Sequence, residues 1–458
     1  MLALFDTATG AVRPLEHRDE GKVSMYVCGP TVYDLPHLGH GRFTLVFDVL
    51  RRYLLFSGLD VTYVSNITDI DDNIIARANR EGRREDEVAG EYEERWWEAM
   101  DALGVLRPDH TPHATDYVDS MISTIAELLA DGVAYELDDG LYLDTSRVEG
   151  YGLLAGQPLE SLKSGARVEA EAAKRSPLDF ALWKAAKPDE PSWDAPFGAG
   201  RPGWHTECVV MSLSLLGEGF DLHGGGLDLK FPHHENERAQ AVALGRRFAQ
   251  HWAHNGWVMV EGEKMSKSLG NFTSLTDLLE RSDGRAYRLL VLRSHYRAPI
   301  EVTAETIADA ELGLVRLDAL ARRLSLSTPK GAVIRAEAGT LDEVTVERFV
   351  ELMDDDLQTP QALGLVFDRL REANSALDAG DTERGALLAR TVMVLAGAMG
   401  LALEGAAEEL DAEAAALAVE RDAARADKDF ARADAIRDEL QARGWVVEDT
   451  AEGTALRR

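Results

Sequence analysis

His37 and His40 stand three residues apart in Met25-Tyr26-Val27-Cys28-Gly29-Pro30-Thr31-Val32-Tyr33-Asp34-Leu35-Pro36-His37-Leu38-Gly39-His40. In the first turn of a helix that spacing puts both rings on one side, where they can donate to the oxygens of one anion as charge develops. Residues 22–27 alternate as a strand, and Phe43, Val46, Phe47, Leu50 and Leu54 then recur on one helical face. At such a strand-to-helix junction the unpaired N–H groups and the positive dipole end favour a phosphate. Gly39 and Gly41 offer no side chain to hold a ligand away, which suits a polyphosphate. Gly58 ends the helix and residues 60–65 alternate again, completing a β-α-β unit. Alone, H-x-G-H also fits an ordinary polar loop. Far along the chain, after an alternating strand at 256–260, Lys264-Met265-Ser266-Lys267-Ser268 sets two lysines in a polar loop. Lysine is a compact charge on a flexible stem, suited to close over a triphosphate.

A second group of residues could bind metal. Cys28 and Cys208 are the chain's two cysteines, and Phe231-Pro232-His233-His234-Glu235-Asn236-Glu237 puts His233 and Glu237 four apart on one face of a helix that Pro232 can open. Two thiolates, an imidazole and a carboxylate make a zinc set, yet the spacing is no standard finger. On spacing alone, a buried thiol beside a polar helix face is the better reading. The acids of Asn66-Ile67-Thr68-Asp69-Ile70-Asp71-Asp72 could serve a metal, but capping the helix from Asn73 accounts for them more simply. Gly198-Ala199-Gly200-Arg201-Pro202-Gly203 matches G-x-G-x-x-G without the strand such a fingerprint follows. His223-Gly224-Gly225-Gly226 lacks an accompanying G-x-S-x-G elbow and reads as a glycine-rich turn beside a nucleotide.

Together, the HLGH and KMSKS stretches resemble the paired signatures of class I aminoacyl-tRNA synthetases. Residues 28–34, Gly203-Trp204-His205-Thr206-Glu207-Cys208, Asp221-Leu222-His223-Gly224-Gly225-Gly226 and residues 231–237 resemble the cysteinyl-tRNA synthetase family nearly end to end. The resemblance implies zinc held by Cys28, Cys208, His233 and Glu237, with the substrate thiolate on the metal. It implies Thr31, Thr68, Trp204 and His223 around the amino acid. For ATP with Mg2+ it implies His37, Gly39, His40 and Lys267, with His37, His40, Lys264 and Lys267 acting in catalysis. The implied reaction activates L-cysteine as its adenylate and transfers it to the terminal ribose of tRNA(Cys). Zinc has a clear use there, because shape alone separates cysteine from serine by roughly 1–3 kcal/mol, whereas thiolate is the softer and stronger zinc ligand.

The elements that must hold these residues fall into an α/β fold: a Rossmann-like parallel-sheet core over 1–115 and 195–255, with a connective segment inserted at 116–194. The resemblance implies a stem-contact region with the KMSKS loop at 256–305, a helical bundle at 306–403 and an anticodon-binding extension at 404–458. Helices are expected over 91–106 and 116–130, and a hairpin turns at Asp139-Gly140. Residues 144–194 read as irregular, anchored by Phe180-Ala181-Leu182-Trp183-Lys184. In the bundle, Ile307, Leu312, Val315 and Leu320 form one apolar row of a helix over 304–324, and Phe349, Leu352, Met353, Leu357, Leu363, Val366 and Leu370 continue the core. The tail reads as one long helix with the stripe Val419, Ala423, Ala426, Phe430, Ala433, Ile436 and Leu440. Arg421, Arg425, Lys428 and Arg432 form a basic row facing away from it, which the interleaved Asp422, Asp427 and Asp429 make a solvated, ion-paired face on composition alone, whereas the family resemblance implies an anticodon-reading tail with Trp445 as a stacking residue.

At 458 residues and 45% hydrophobic content the chain holds several cores. It has no apolar run of about 18 residues or more and no basic-then-apolar leader, so neither a membrane span nor a secretion signal is expected. Two cysteines fit a reducing, cytoplasmic setting. The net charge of -31 is unusual for an RNA partner, so RNA contacts are expected to be local and salt-sensitive. Monomer is the state the family implies. Two other readings were open: a related ligase joining cysteine to an amino sugar, which lacks the tail, and an inactive RNA- or nucleotide-binding paralogue, which would have lost a signature residue.

Overall fold

In the computed structural model the described residues are all except 157–173, 189, 260–273, 329, 332, 334–339, 406–411, 451–452 and 458. A hairpin of β1 (Ala3–Asp6) and β2 (Ala11–Pro14) precedes β3 (Lys22–Val27), α1 (Leu38–Phe56) and β4 (Asp60–Val64). β3 and β4 run parallel, Lys22 opposite Asp60 through Tyr26 opposite Val64, as the β-α-β reading requires. Past Lys22, β3 is buried on both faces. α1 is buried nearly all round and not along one stripe: Asp48 takes Arg52 at 2.8 Å and Arg288 at 2.6 Å, and both guanidiniums also donate to the Gly104 carbonyl. Buried charges persist only when paired and hydrogen-bonded in this way.

α2 (Asp72–Glu81) and α3 (Glu85–Ala102) follow, then α4 (Val118–Ala130) and a four-stranded antiparallel sheet. Its strands are β5 (Ala134–Leu137), β6 (Gly140–Leu143), β7 (Phe180–Ala185) and β8 (Gly200–Pro202). The hairpin turns at Asp138-Asp139, one residue earlier than the D-G pair suggested, because Leu137 already faces Gly140. Gly140 serves strand packing instead: a Cβ there would lie 2.0 Å from the Trp183 carbonyl oxygen. Residues 180–185 are a paired strand and not an anchor in irregular chain; Leu182 and Trp183 are buried in the core beneath this sheet. β8 also accounts for Gly200 and Gly203, since a Cβ on Gly200 would strike the Lys184 carbonyl and one on Gly203 the Ala181 carbonyl.

α5 (Trp204–Leu216), β9 (Leu222–Gly226), α6 (Glu235–Ala243) and β10 (His251–Asn255) complete the parallel sheet in the order β10-β9-β3-β4. β9 is the His223-Gly224-Gly225-Gly226 run itself, a strand and not a turn. Its glycines are steric: a Cβ on Gly224 would stand 2.3 Å from the Phe47 ring, so α1 closes directly on the sheet. The chain reverses its direction of growth between β3 and β9, and ligands of such sheets bind outside the carboxyl ends at that point.

Beyond β11 (Val258–Met259), α7 (Leu275–Arg281), α8 (Gly284–Leu292) and β12 (Ile300–Glu301) come the bundle helices α9 (Ala304–Arg323), α10 (Glu343–Asp354), α11 (Thr359–Asp378) and α12 (Thr382–Ala398). α9 buries Ile307 and Leu320 as the sequence row has them, together with Ala310, Gly313, Leu314, Leu317 and Ala321, whereas Val315 is half-buried and Leu312 is exposed, so the 3.6-residue stripe takes in only part of that row.

The tail is not one helix. α13 (Ala412–Ala426) and α14 (Phe430–Ala442) pack on each other across a break where Lys428 takes φ 61°, and an antiparallel hairpin of β13 (Val446–Thr450) and β14 (Gly453–Arg457) follows. Folding back changes the buried face, so Val419 and Phe430 lie exposed while Ala414, Ile436, Leu440 and Trp445 form the core. Arg421 is buried and donates to Thr454 Oγ1 at 2.7 Å, and Arg432 pairs with Glu420, so the basic row is not a free face. Trp445, 3% exposed, cannot stack on RNA without unfolding this core. Trp445→Ala is expected to destabilise the tail by about 3–5 kcal/mol, the usual cost of truncating a buried large aromatic. Limited proteolysis should cut the variant first within 412–457; unchanged protection with weakened RNA binding would restore the stacking role.

Candidate active site

The carboxyl ends of β3, β9 and β10 open into a cavity of about 650 Å³ whose walls include Cys28, Thr31, His37, His40, Trp204 and Asp228. The histidines sit where the sequence puts them, at the start of α1, but they do more than point outward. His37 is the N-cap, its Nδ1 accepting from the His40 N–H at 3.2 Å, and His40 Nδ1 accepts from the His37 N–H at the same distance. The rings stack with centroids 3.6 Å apart. With each Nδ1 an acceptor, the proton of each neutral ring is assigned to Nε2, which leaves two N–H donors free for a ligand. Burial lowers the pKa of His37; burial and then His37 push His40 down to about 3, so both rings are neutral donors.

The two glycines of this turn have different work from that expected. A Cβ on Gly39 would come within 2.9 Å of the His37 ring, so Gly39 admits the cap. Gly41 faces the core, where a Cβ would meet Tyr287 at 2.9 Å. Lys264 and Lys267 lie outside the described residues. Trp257, shortly before them, lines the cavity, and the buried Arg42 guanidinium of α1 holds its carbonyl.

Around Cys28, the member of the group that lines the cavity, four segments converge. Cys28 follows β3, Cys208 is in α5, His233 precedes α6 and Glu237 is in its first turn, and one donor atom from each lies within 4.8 Å of all the others. The sulfurs are 3.6 Å apart as free thiols; Cys28 Sγ is 3.4 Å and His233 Nε2 3.0 Å from Glu237 Oε1. A tetrahedral ion with bonds of about 2.0–2.3 Å has donor–donor edges of roughly 3.3–3.8 Å, so this spacing fits a zinc-sized cation. All four groups are buried, and among the described residues Glu237 Oε2 has no aligned hydrogen-bond donor. Burial raises both thiols and drives His233 well down, so its imidazole is neutral as a ligand must be. Cys28, His223, His234 and Glu237 meet the same distance limit. The two sets share Cys28 and Glu237, so only one can be filled at a time, and the first offers two sulfurs.

Trp204 lines the cavity and stacks on His233 at 4.1 Å, and Thr31 lines it too. Thr68 and His223 are fully buried behind it: Thr68 Oγ1 donates to Glu207 Oε2 at 3.0 Å, and His223 Nε2 is 3.0 Å from Glu237 Oε2. Sequence reading passed over three residues. Asn66 accepts the Gly29 N–H at 2.9 Å, and Gly29 is tied there because a Cβ would overlap the Asn66 carbonyl at 1.7 Å. Glu207 is a buried acid inside a quoted motif, and Asp228 brings a carboxylate to the cavity two residues past the glycine run. Their signal was adjacency to motif residues. Asp71 caps α2 by accepting from Asn73 N at 2.8 Å, as the simpler reading had it, and Asp72 pairs with Lys184 and Arg201 of the inserted sheet.

Comparison with known proteins extends this geometry. A family model described as tRNA synthetases class I (C) catalytic domain matches residues 14–312, a DALR domain matches 348–404, and a cysteinyl-tRNA ligase anticodon binding domain matches 407–457. The chain is 47% identical over 468 residues to the cysteine–tRNA ligase of Halorhodospira halophila and 46% identical over 470 residues to that of Chromobacterium violaceum, with 100% of each chain covered. Among solved structures it is similar to Mycobacterium tuberculosis methionyl-tRNA synthetase in complex with methionyl-adenylate, with a TM-score of 0.55 at 15% identity over 82% of this chain and 89% of that one. A putative arginyl tRNA synthetase from Campylobacter jejuni gives 0.54 at 13% identity over 86% and 95%. At such identities the solved structures speak to the fold alone.

Proposed function

This chain belongs to the cysteinyl-tRNA synthetase family of class I aminoacyl-tRNA synthetases, and on that premise we propose how its residues carry out the reaction. Its activity is that of a cysteine–tRNA ligase. ATP, cysteine and tRNA are the substrates, and a buried cluster of cysteine, histidine and glutamate can hold a metal. The cysteine carboxylate attacks the α-phosphate of ATP, whose bond to the β-phosphate oxygen breaks to release pyrophosphate. The terminal ribose hydroxyl of tRNA(Cys) then takes the cysteinyl group from the adenylate and AMP leaves.

The Nε2–H groups of His37 and His40 and the N-terminus of α1 donate to the phosphate oxygens, positioning ATP with its Mg2+ and stabilising charge that builds in the transition state. Lys264 and Lys267 supply cationic charge to the same phosphates. Thr31 and Trp204 wall the amino acid, with Thr68 and His223 behind them supporting Glu207 and Glu237. Cys28, Cys208, His233 and Glu237 would hold zinc, which when bound supplies a soft Lewis acid that prefers the cysteine thiolate to a serine hydroxyl. The catalytic core spans 1–115 and 195–255, the insertion 116–194, the stem-contact region 256–305, the bundle 306–403 and the anticodon-binding extension 404–458. Among the described residues no helix is long and apolar enough to cross a membrane; we place the enzyme in the cytoplasm as a monomer.

The observation that carries this reading is one cavity lined both by the paired histidine donors and by Cys28, a member of the buried cysteine-histidine-glutamate cluster. Incubating the protein with ATP, Mg2+, labelled cysteine and total tRNA should yield acid-precipitable label that ribonuclease removes. Label reaching only an amino sugar offered in parallel would favour the related ligase, and no cysteine-dependent pyrophosphate exchange by zinc-loaded protein would sink both enzyme readings.

A further inference from the structure

Tyr26 is two residues before Cys28, so its side chain leaves β3 on the same face as the Cys28 thiol. Met25 and Val27 point to the opposite face and join the other core, while Tyr26 packs with Cys28 and Cys208. Its ring is fully buried and lies parallel to His223, centroids 5.3 Å apart, and His223 Nε2 is itself 3.7 Å from Cys28 Sγ. Among the described residues the Tyr26 hydroxyl has no aligned hydrogen-bond partner. The Cys208 sulfur is the acceptor within its reach, and a thiol is a weak one, so a hydroxyl that persists at such a depth calls for a better acceptor than a free thiol.

We propose that Tyr26 is a positioning residue of the metal centre, its hydroxyl donating to the Cys208 thiolate that forms when the ion is bound. A thiol sulfur accepts poorly, whereas a metal-bound thiolate is a negatively charged acceptor. Donation stabilises the charged Cys208 thiolate, so that it forms and binds the ion at lower cost, and it draws electron density from the sulfur. The ion keeps more Lewis acidity for a further sulfur ligand, here the substrate thiol. This inference rests on the zinc reading above, and its test separates the two.

Wild type and Tyr26→Phe, which keeps the ring and its packing, are loaded with Co2+ and their thiolate-to-cobalt charge-transfer bands recorded. Zinc affinity is measured by competition with a chromophoric chelator. The variant is expected to bind zinc about 10-fold more weakly, the usual scale for losing an outer partner of a ligand, and to show its band at longer wavelength because the sulfur electrons are less tightly held. Metal-free Tyr26→Phe should melt no lower than wild type. Identical bands and affinities in the two proteins would overturn the proposal, and a wild type that binds cobalt with no thiolate band would overturn the zinc reading itself.

Discussion

Cys208→Ser is expected to lower kcat/KM for cysteine-dependent pyrophosphate exchange by more than about 100-fold and to take zinc content well below one per chain. Losing an outer-shell partner alone costs 10- to 100-fold in metal affinity or activity, and a direct ligand contributes more. A serine hydroxyl occupies nearly the same space but stays protonated at neutral pH and is a hard, weak donor to zinc. The fold should survive, because Cys208 sits in an apolar core with Val209 and Met211 and the change buries only a hydroxyl, at about 1–3 kcal/mol. Metal analysis and exchange kinetics on the same preparation make the result decisive. Zinc retained with activity lost would move the ion to Cys28, His223, His234 and Glu237, the overlapping set. Exchange at the wild-type level would remove the metal from the mechanism.

His40→Ala is expected to reduce the rate of adenylate formation by about 10²- to 10³-fold, the range for deleting one preorganised donor to a developing charge. It also removes half of a reciprocal cap, which costs about 1 kcal/mol of stability, so a small drop in melting temperature should accompany the kinetic loss. Lys267→Ala is expected to lose as much activity with no change in melting, since the lysine acts there by its charge. Exchange within tenfold of wild type in both variants would show that the phosphates are held elsewhere. A large melting loss in His40→Ala with little kinetic change would make the histidine pair a helix cap alone.

Much of the site was legible because its chemistry needs particular residue types next to one another along the chain. Strand, loop and helix from 22 to 56, the capping role of Asp71 and the helix that brings His233 and Glu237 four apart all depend on local periodicity and backbone valence. The zinc reading needed the family resemblance as well, because spacing alone favoured a buried thiol, and only the folded chain brings Cys28 and Cys208 from 180 residues apart to sulfurs 3.6 Å apart.

What the sequence determined by itself is the class of protein and the local chemistry of its motifs: a β-α-β phosphate turn, His233 and Glu237 four apart, a helical region and an added tail. Tertiary structure decided which side of each element is inside. Trp445 looked like an exposed stacking ring until the chain folded back at Lys428, and β9 looked like a turn because its glycines answer to Phe47 on another element. Thr68 and His223 moved behind the cavity for the same reason, since burial is set by neighbours distant in sequence, and no periodicity within one segment records who those neighbours are.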